Sequence, residues 1–233
     1  MSDRGSIPAL FPPGPLRIGL FGGTFDPVHM AHLCVAEEVY RTFSLSWLEF
    51  LPSRTPPHKT TRRITDIFHR LEMLQRALSG TPHFRISVEE ARREGPSYLV
   101  DTLQSYRAKY PPDGFLLFFV MGMDSYREIS TWHEYPRLFA LSEFVVISRP
   151  GYPRPRLEDA VSPDVACLFT LCPDTPNCLV HESGHRVWFC EDLSLELSSA
   201  QVRELLHQGK QPRELVPEPV LAYIRENNLY LHP

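Results

Sequence analysis

The chain has 233 residues, 42% of them hydrophobic and 22% charged, with a formal net charge of -4, the balance of a soluble globular protein with room for one substantial core and not for two large ones. The basic excess of a nucleic-acid binder is missing, so any anion has to be held by a local pocket. The longest apolar run, Phe115 to Met121, falls far below the roughly 20 residues of a membrane helix, and no signal-peptide pattern is apparent, which predicts a cytoplasmic protein without nucleic-acid or membrane partners.

Residues 1–15, with Pro8, Pro12, Pro13 and Pro15, read as a flexible extension ahead of a single domain over 16–233. Within it, apolar runs at 17–22, 47–51, 84–88, 115–121, 143–148 and 186–190 predict strands. Helices are predicted at 28–43, at 65–79 with Ile67, Leu71, Leu74 and Leu78 on one face, and at 97–109, 199–208 and 218–227. Strands separated by helix-length segments predict an α/β fold, Rossmann-like, with a parallel sheet and helices on both faces. Tyr152 to Glu182 is rich in proline and cysteine and reads as an irregular excursion with one short helix. The five cysteines form no C-x-x-C pair and read as reduced thiols. A metal site among Cys167, Cys172, Cys178, His181, His185 and Cys190 is the second reading of that stretch, at irregular spacing.

The first strand runs into Gly22-Gly23-Thr24-Phe25-Asp26-Pro27-Val28-His29-Met30-Ala31-His32. Pro27 fits the first turn of the following helix. Gly22 and Gly23 would let the backbone approach a ligand, while the helix start offers N–H groups and a partial positive charge to an anion. His29 and His32, three apart, share one helical face. Each alone is explained as a capped or half-buried helix residue, but the combination reads as a phosphate site, and zinc is disfavoured because H-x-x-H lacks the glutamate of H-E-x-x-H. The segment resembles the G-x-F-D-P-x-H-x-G-H signature of the adenylyltransferase and cytidylyltransferase superfamily, whose two histidines bind nucleotide phosphates; Ala31 stands in place of a glycine. No G-x-G-x-x-G fingerprint accompanies it, which disfavours a dehydrogenase.

Four more segments carry the resemblance. After a strand end, Leu195 to Arg203 begins a helix on Ser198 and Ser199, which alone would be a serine cap. With Arg203 one turn on and Val202 beside it, it resembles the superfamily's I-S-S-T-x-I-R phosphate clamp, with Ala200 replacing the threonine. Pro52-Ser53-Arg54-Thr55-Pro56-Pro57-His58-Lys59 is a proline-stiffened loop that resembles the P-x-x-x-P-P-H-K loop of nicotinate and nicotinamide mononucleotide adenylyltransferases, where Lys59 would meet the mononucleotide phosphate. Ser97-Tyr98-Leu99-Val100-Asp101-Thr102-Leu103 has the makings of a Ser97-capped helix and resembles their S-Y-T-x-D-T-L motif near the pyridine ring. Gly122-Met123-Asp124, Trp132-His133 and Arg149 complete the set; a lone tryptophan is more often core, but the resemblance implies that Gly122 and Asp124 meet the ribose and that Trp132 stacks on pyridine.

Taken together, the resemblance implies an enzyme joining ATP to nicotinate mononucleotide with Mg²⁺. His29, His32 and Arg203 are the expected catalytic groups. Gly22, Gly23, Thr24, Phe25, Gly122, Asp124, Ser198, Ser199 and Val202 are expected at ATP, and Asp26, Lys59, Ser97, Tyr98, Leu99, Trp132, His133 and Arg149 at the mononucleotide. The competing readings are another phosphorylated acceptor, such as phosphopantetheine, and a nucleotide sensor that has lost catalysis. Association into a homo-oligomer is left open.

Overall fold

The six expected apolar runs all become strands of one sheet in a computed structural model that describes residues 14–54, 64–110, 114–148, 157–173, 175, 177–190 and 197–231. They are β1 (Leu16–Gly23), β2 (Trp47–Pro52), β3 (Phe84–Ile86), β4 (Phe115–Gly122), β5 (Glu143–Ile147) and, last in the chain, β8 (Arg186–Cys190). Two further strands, β6 (Phe169–Leu171) and β7 (Cys178–His181), extend the far edge, so the sheet order is β3-β2-β1-β4-β5-β8-β7-β6. The first six strands pair in parallel. The last two pairings are antiparallel, so an antiparallel edge is added to the expected parallel sheet.

The sheet is covered on both faces because its inner strands are apolar at odd and even positions alike. In β4, Phe118 and Val120 face one core, while Leu117, Phe119 and Met121 face the other. The first core is closed by α1 (Met30–Thr42), α2 (Ile67–Ala77), α8 (Ser199–His207) and α9 (Glu218–Glu226). The second is closed by α3 (Leu99–Lys109) and the short helices α4 (Met123–Arg127), α5 (Tyr135–Leu138), α6 (Leu157–Ala160) and α7 (Pro163–Ala166). None of these is long and apolar enough to cross a membrane.

Within the 152–182 stretch the described residues carry more regular structure than its proline content suggested: they form α6, α7 and the β6–β7 hairpin. Val161, Val165 and Phe169 enter the second core, so burial outweighs weak local propensity. The reduced-thiol expectation is corrected for one pair. Pairing of Leu171 with Leu179 brings Cys172 and Cys178 to 5.4 Å between Cα atoms, and they form a disulfide. Cys34, Cys167 and Cys190 are free thiols. Among the described residues no cluster of metal-ligating side chains forms, in that stretch or elsewhere. Residues 1–13 of the expected extension lie outside the described residues.

Candidate active site

β1 is flanked by β2 on one side and by β4 on the other, so successive units run outward in opposite directions and a crevice opens at the C-terminal ends of β1 and β4. A cleft of about 730 Å³ lies there, within the usual size range of small-molecule sites. Seventeen of the residues expected to serve the site line it: Gly22 through Asp26, His29, His32, Ser97 through Leu99, Gly122, Asp124, Trp132, His133, Ser198, Ser199 and Arg203. Val202 does not. It is fully buried in the first core, because its position on α8 turns the side chain toward the sheet. Lys59 and Arg149 fall outside the described residues.

At the end of β1 the glycines have a reason the sequence did not disclose. A Cβ on Gly22 would sit 2.5 Å from the Phe119 ring, and one on Gly23 2.8 Å from the Phe25 ring. These glycines therefore admit two aromatic rings against the strand end. At Gly122, also on the cleft, a Cβ would find no protein atom within 4 Å. Phe25 is buried with φ at 49°, an unusual conformation for a bulky residue that the surrounding packing must maintain.

α1 starts at Met30 and not near Pro27, because His29 adopts an extended backbone and serves as the N-cap. The His29 N–H donates to His32 Nδ1 at 3.2 Å. The two rings stack with centroids 3.7 Å apart, so the expectation of a shared face holds. Because Nδ1 accepts this bond, a neutral His32 carries its proton on Nε2, and a donor is aimed from a ring whose other nitrogen is tied to the backbone. One expected N–H is already used: Met30 donates to the Leu215 carbonyl at 2.8 Å.

α8 is stitched to this loop. Ser198 caps the helix by accepting from the Gln201 N–H, as the simple reading of a serine there requires. Ser199 Oγ instead donates to the Pro27 carbonyl at 3.0 Å, and Arg203 donates to the Asp26 carbonyl at 2.6 Å. The two motifs, 177 residues apart, thus form one unit. On the opposite side of the cleft, Trp132 is half-buried and meets Phe119 edge-on at 6.4 Å. Tyr98 stacks on His133 at 4.3 Å. Tyr98, not Ser97, is the N-cap of α3, and Ser97 is buried.

Three residues at the site went unnoticed in the sequence. Arg70 on α2 is 1% exposed and donates to the carbonyls of Thr24, Ser53, Arg54 and Thr65 at 2.8 to 3.1 Å. It binds the β1 loop to the segments after β2 and before α2. Burial lowers its pKa, opposed by the nearby Asp26 carboxylate. Tyr230 donates to Asp26 Oδ1 at 2.6 Å, and the Thr65 N–H reaches Asp26 Oδ2 at 3.5 Å. Burial and that carboxylate raise the Tyr230 pKa, so the hydroxyl stays protonated and donating. Asp26, expected at the mononucleotide, is held by these groups as an internal tether. The third is Glu90, a buried carboxyl on the cleft wall. Only the apolar spacing of α2 carried any hint of the first, since Arg70 lies on the face of Ile67 and Leu74.

Comparison with known proteins identifies the family. A family model described as cytidylyltransferase-like matches residues 20–205. A protein of Geobacter metallireducens described as a probable nicotinate-nucleotide adenylyltransferase is 39% identical, over 93% of this chain and 99% of its own. One of the same description from Desulfitobacterium hafniense is 39% identical, over 93% of this chain and 96% of its own. The fold is similar to that of Plasmodium falciparum nicotinic acid mononucleotide adenylyltransferase complexed with NaAD, with a TM-score of 0.68 at 16% identity, covering 94% of this chain and 98% of that one.

Proposed function

Because the chain belongs to the cytidylyltransferase-like family and, within it, to the nicotinate-nucleotide adenylyltransferases, we propose that it transfers the adenylyl group of ATP to nicotinate mononucleotide, forming nicotinate adenine dinucleotide and pyrophosphate in NAD biosynthesis. The observation that carries this reading is the convergence of the two histidines, the α8 serines and Arg203, and the Tyr98 and Trp132 rings on one cleft at the β1–β4 crevice. A phosphate oxygen of the mononucleotide attacks the α-phosphorus of ATP, the new P–O bond forms, and the bond to the β-phosphate breaks with its electron pair leaving on pyrophosphate. No protein nucleophile takes part. The chain aligns the two phosphates and stabilises the charge that moves.

In this reading His29 and His32 meet phosphate near the reacting centre, and Ser199 and Arg203 hold the leaving phosphates. Trp132 offers its face to the pyridine ring, and Lys59 attracts the mononucleotide phosphate. Bound with ATP, Mg²⁺ would offset the charge of its phosphates. Phosphate oxygens and water suit such an ion as ligands. A single domain from residue 16 and a cytoplasmic location belong to the same reading.

Purified protein with MgATP is expected to release pyrophosphate with nicotinate mononucleotide, and to prefer it to the amide. N–H donors that each pair with a carboxylate are left partly unpaired by a carboxamide, at about 1–3 kcal/mol for an unpaired buried donor, so kcat/KM should differ by roughly tenfold to a hundredfold. Release with phosphopantetheine and with neither pyridine mononucleotide would overturn the assignment, and ATP binding without turnover on any acceptor would favour the sensor. Equal rates on acid and amide would refute the preference alone.

Arg203→Lys tests the clamp. Lysine keeps the charge but loses the planar fork, and with it the combination of the Asp26 carbonyl bond and phosphate contact. Loss of one charge-assisted bond, about 1.5–3 kcal/mol, should lower kcat/KM for ATP by roughly tenfold to a hundredfold. Unchanged ATP kinetics would show that Arg203 serves only the loop.

A further inference from the structure

Glu90 is 5% exposed, lines the cleft beside Ser97, Tyr98 and Leu99, and is used by no step above. Its Oε1 accepts a hydrogen bond from Thr102 on the first turn of α3 at 3.2 Å. Arg93 supports the same corner, donating to the Tyr98 carbonyl and to Thr102. A carboxyl buried in the wall of a pocket meant for a ligand carboxylate is a like-charge conflict, and the two cannot both be ionised cheaply at short range. A carboxamide ligand raises no such conflict.

We propose that Glu90 makes the choice between acid and amide mononucleotides pH-dependent by taking a proton from solvent when a carboxylate occupies the cleft beside Tyr98, and keeping its charge state when a carboxamide does. The inference rests on the pyridine-mononucleotide reading. Burial already pushes the Glu90 pKa up to about 7, against the opposing pull of Thr102, Arg93 and Ser97 and with a small push from Glu89. Among the described residues, other charged groups around it include Asp101 on α3, 3.9 Å from Arg93, and Arg54 from the segment after β2, bonded to the Arg93 carbonyl. Asp124, Glu128 and His133, from the segment after β4, line the same cleft.

The sign follows from linkage. The acid binds the form in which Glu90 is protonated, so its advantage is full below the Glu90 pKa and declines as pH rises through it. The titrating phosphates of ATP and mononucleotide are common to both substrates and cancel in a ratio. With a group titrating near pH 7, the ratio of kcat/KM for acid over amide should fall about tenfold between pH 6 and pH 8.

The experiment is that ratio across pH 6 to 8 in the wild type, Glu90→Gln and His133→Gln. Glu90→Gln cannot ionise and should hold the ratio flat near its low-pH value, while His133→Gln should keep the slope. A flat wild-type ratio, a slope that survives in Glu90→Gln, or one that vanishes in His133→Gln overturns the proposal while leaving the reaction assigned. Absence of turnover with both mononucleotides strikes the functional reading instead. Should Glu90→Gln fail to fold, calorimetry of wild type at pH 8 in buffers of different ionisation enthalpy decides. Close to one more proton taken up with the acid than with the amide supports the role of Glu90, and equal uptake overturns it.

Discussion

His32→Ala is expected to lower kcat by about 10²–10³ with a much smaller change in ATP binding, because a preorganised donor acting on charge that develops during transfer is worth that much in rate. The structure gives this donor its preorganisation. Its Nδ1 accepts the His29 N–H, its ring stacks on His29, and it meets Phe25 edge-on at 5.0 Å. Orientation and tautomer are thereby set before a ligand arrives. Alanine also removes the N3 acceptor of the His29 N–H, half of the capping box at the start of α1, which should cost about 0.5–2 kcal/mol of stability. His32→Asn separates the two effects, since its amide oxygen can accept the His29 N–H while nothing replaces Nε2. It should recover stability and leave kcat low. Normal turnover in either variant, with only thermal stability reduced, would make His32 a helix-capping residue.

How far the sequence reached depended on range. β1, β2, β4, β5 and β8 fall within two residues of the apolar runs, because strands apolar on both faces leave continuous runs. The site motifs could be read for a similar reason: each sits on a strand end or a helix start, where local chemistry and chain geometry coincide. Helix starts were less faithful. α1 was expected from 28 and α3 from 97, but His29 and Tyr98 act as N-caps without resembling the usual small polar ones. The β6–β7 hairpin was hidden because its buried residues, Phe169 and Leu179, close a core built with distant strands. Nor could local spacing show that Ser199 and Arg203 grip carbonyls of residues 26 and 27, or that Tyr230 closes over Asp26.

Arg70 is the strongest case of such hidden structure. A lone arginine on a helix face reads as solvated, yet this one is buried and satisfies four carbonyls from three segments. Those segments carry Thr24 of the loop after β1 and Ser53 and Arg54 at the head of the loop that leads to Lys59. Arg70 thus fixes the relative placement of the two regions assigned to ATP and to the mononucleotide.

Arg70→Met, which keeps most of the apolar stem, should therefore destabilise the protein by about 3–5 kcal/mol, the range found when one partner of a buried charged network is removed. The loss arises chiefly from carbonyls left without donors, costly in a dry interior, and from removal of one of the cations near Asp26. For a domain of this size that corresponds to a fall in Tm of roughly 6–20 °C. Arg70→Lys should fall between wild type and Met, because an ammonium restores charge near Asp26 but cannot span four acceptors arranged around a planar fork. Urea unfolding with the m-value held constant measures both variants. A loss below about 1 kcal/mol in Arg70→Met would mean that water reaches these carbonyls and that the loops hold their places without the guanidinium.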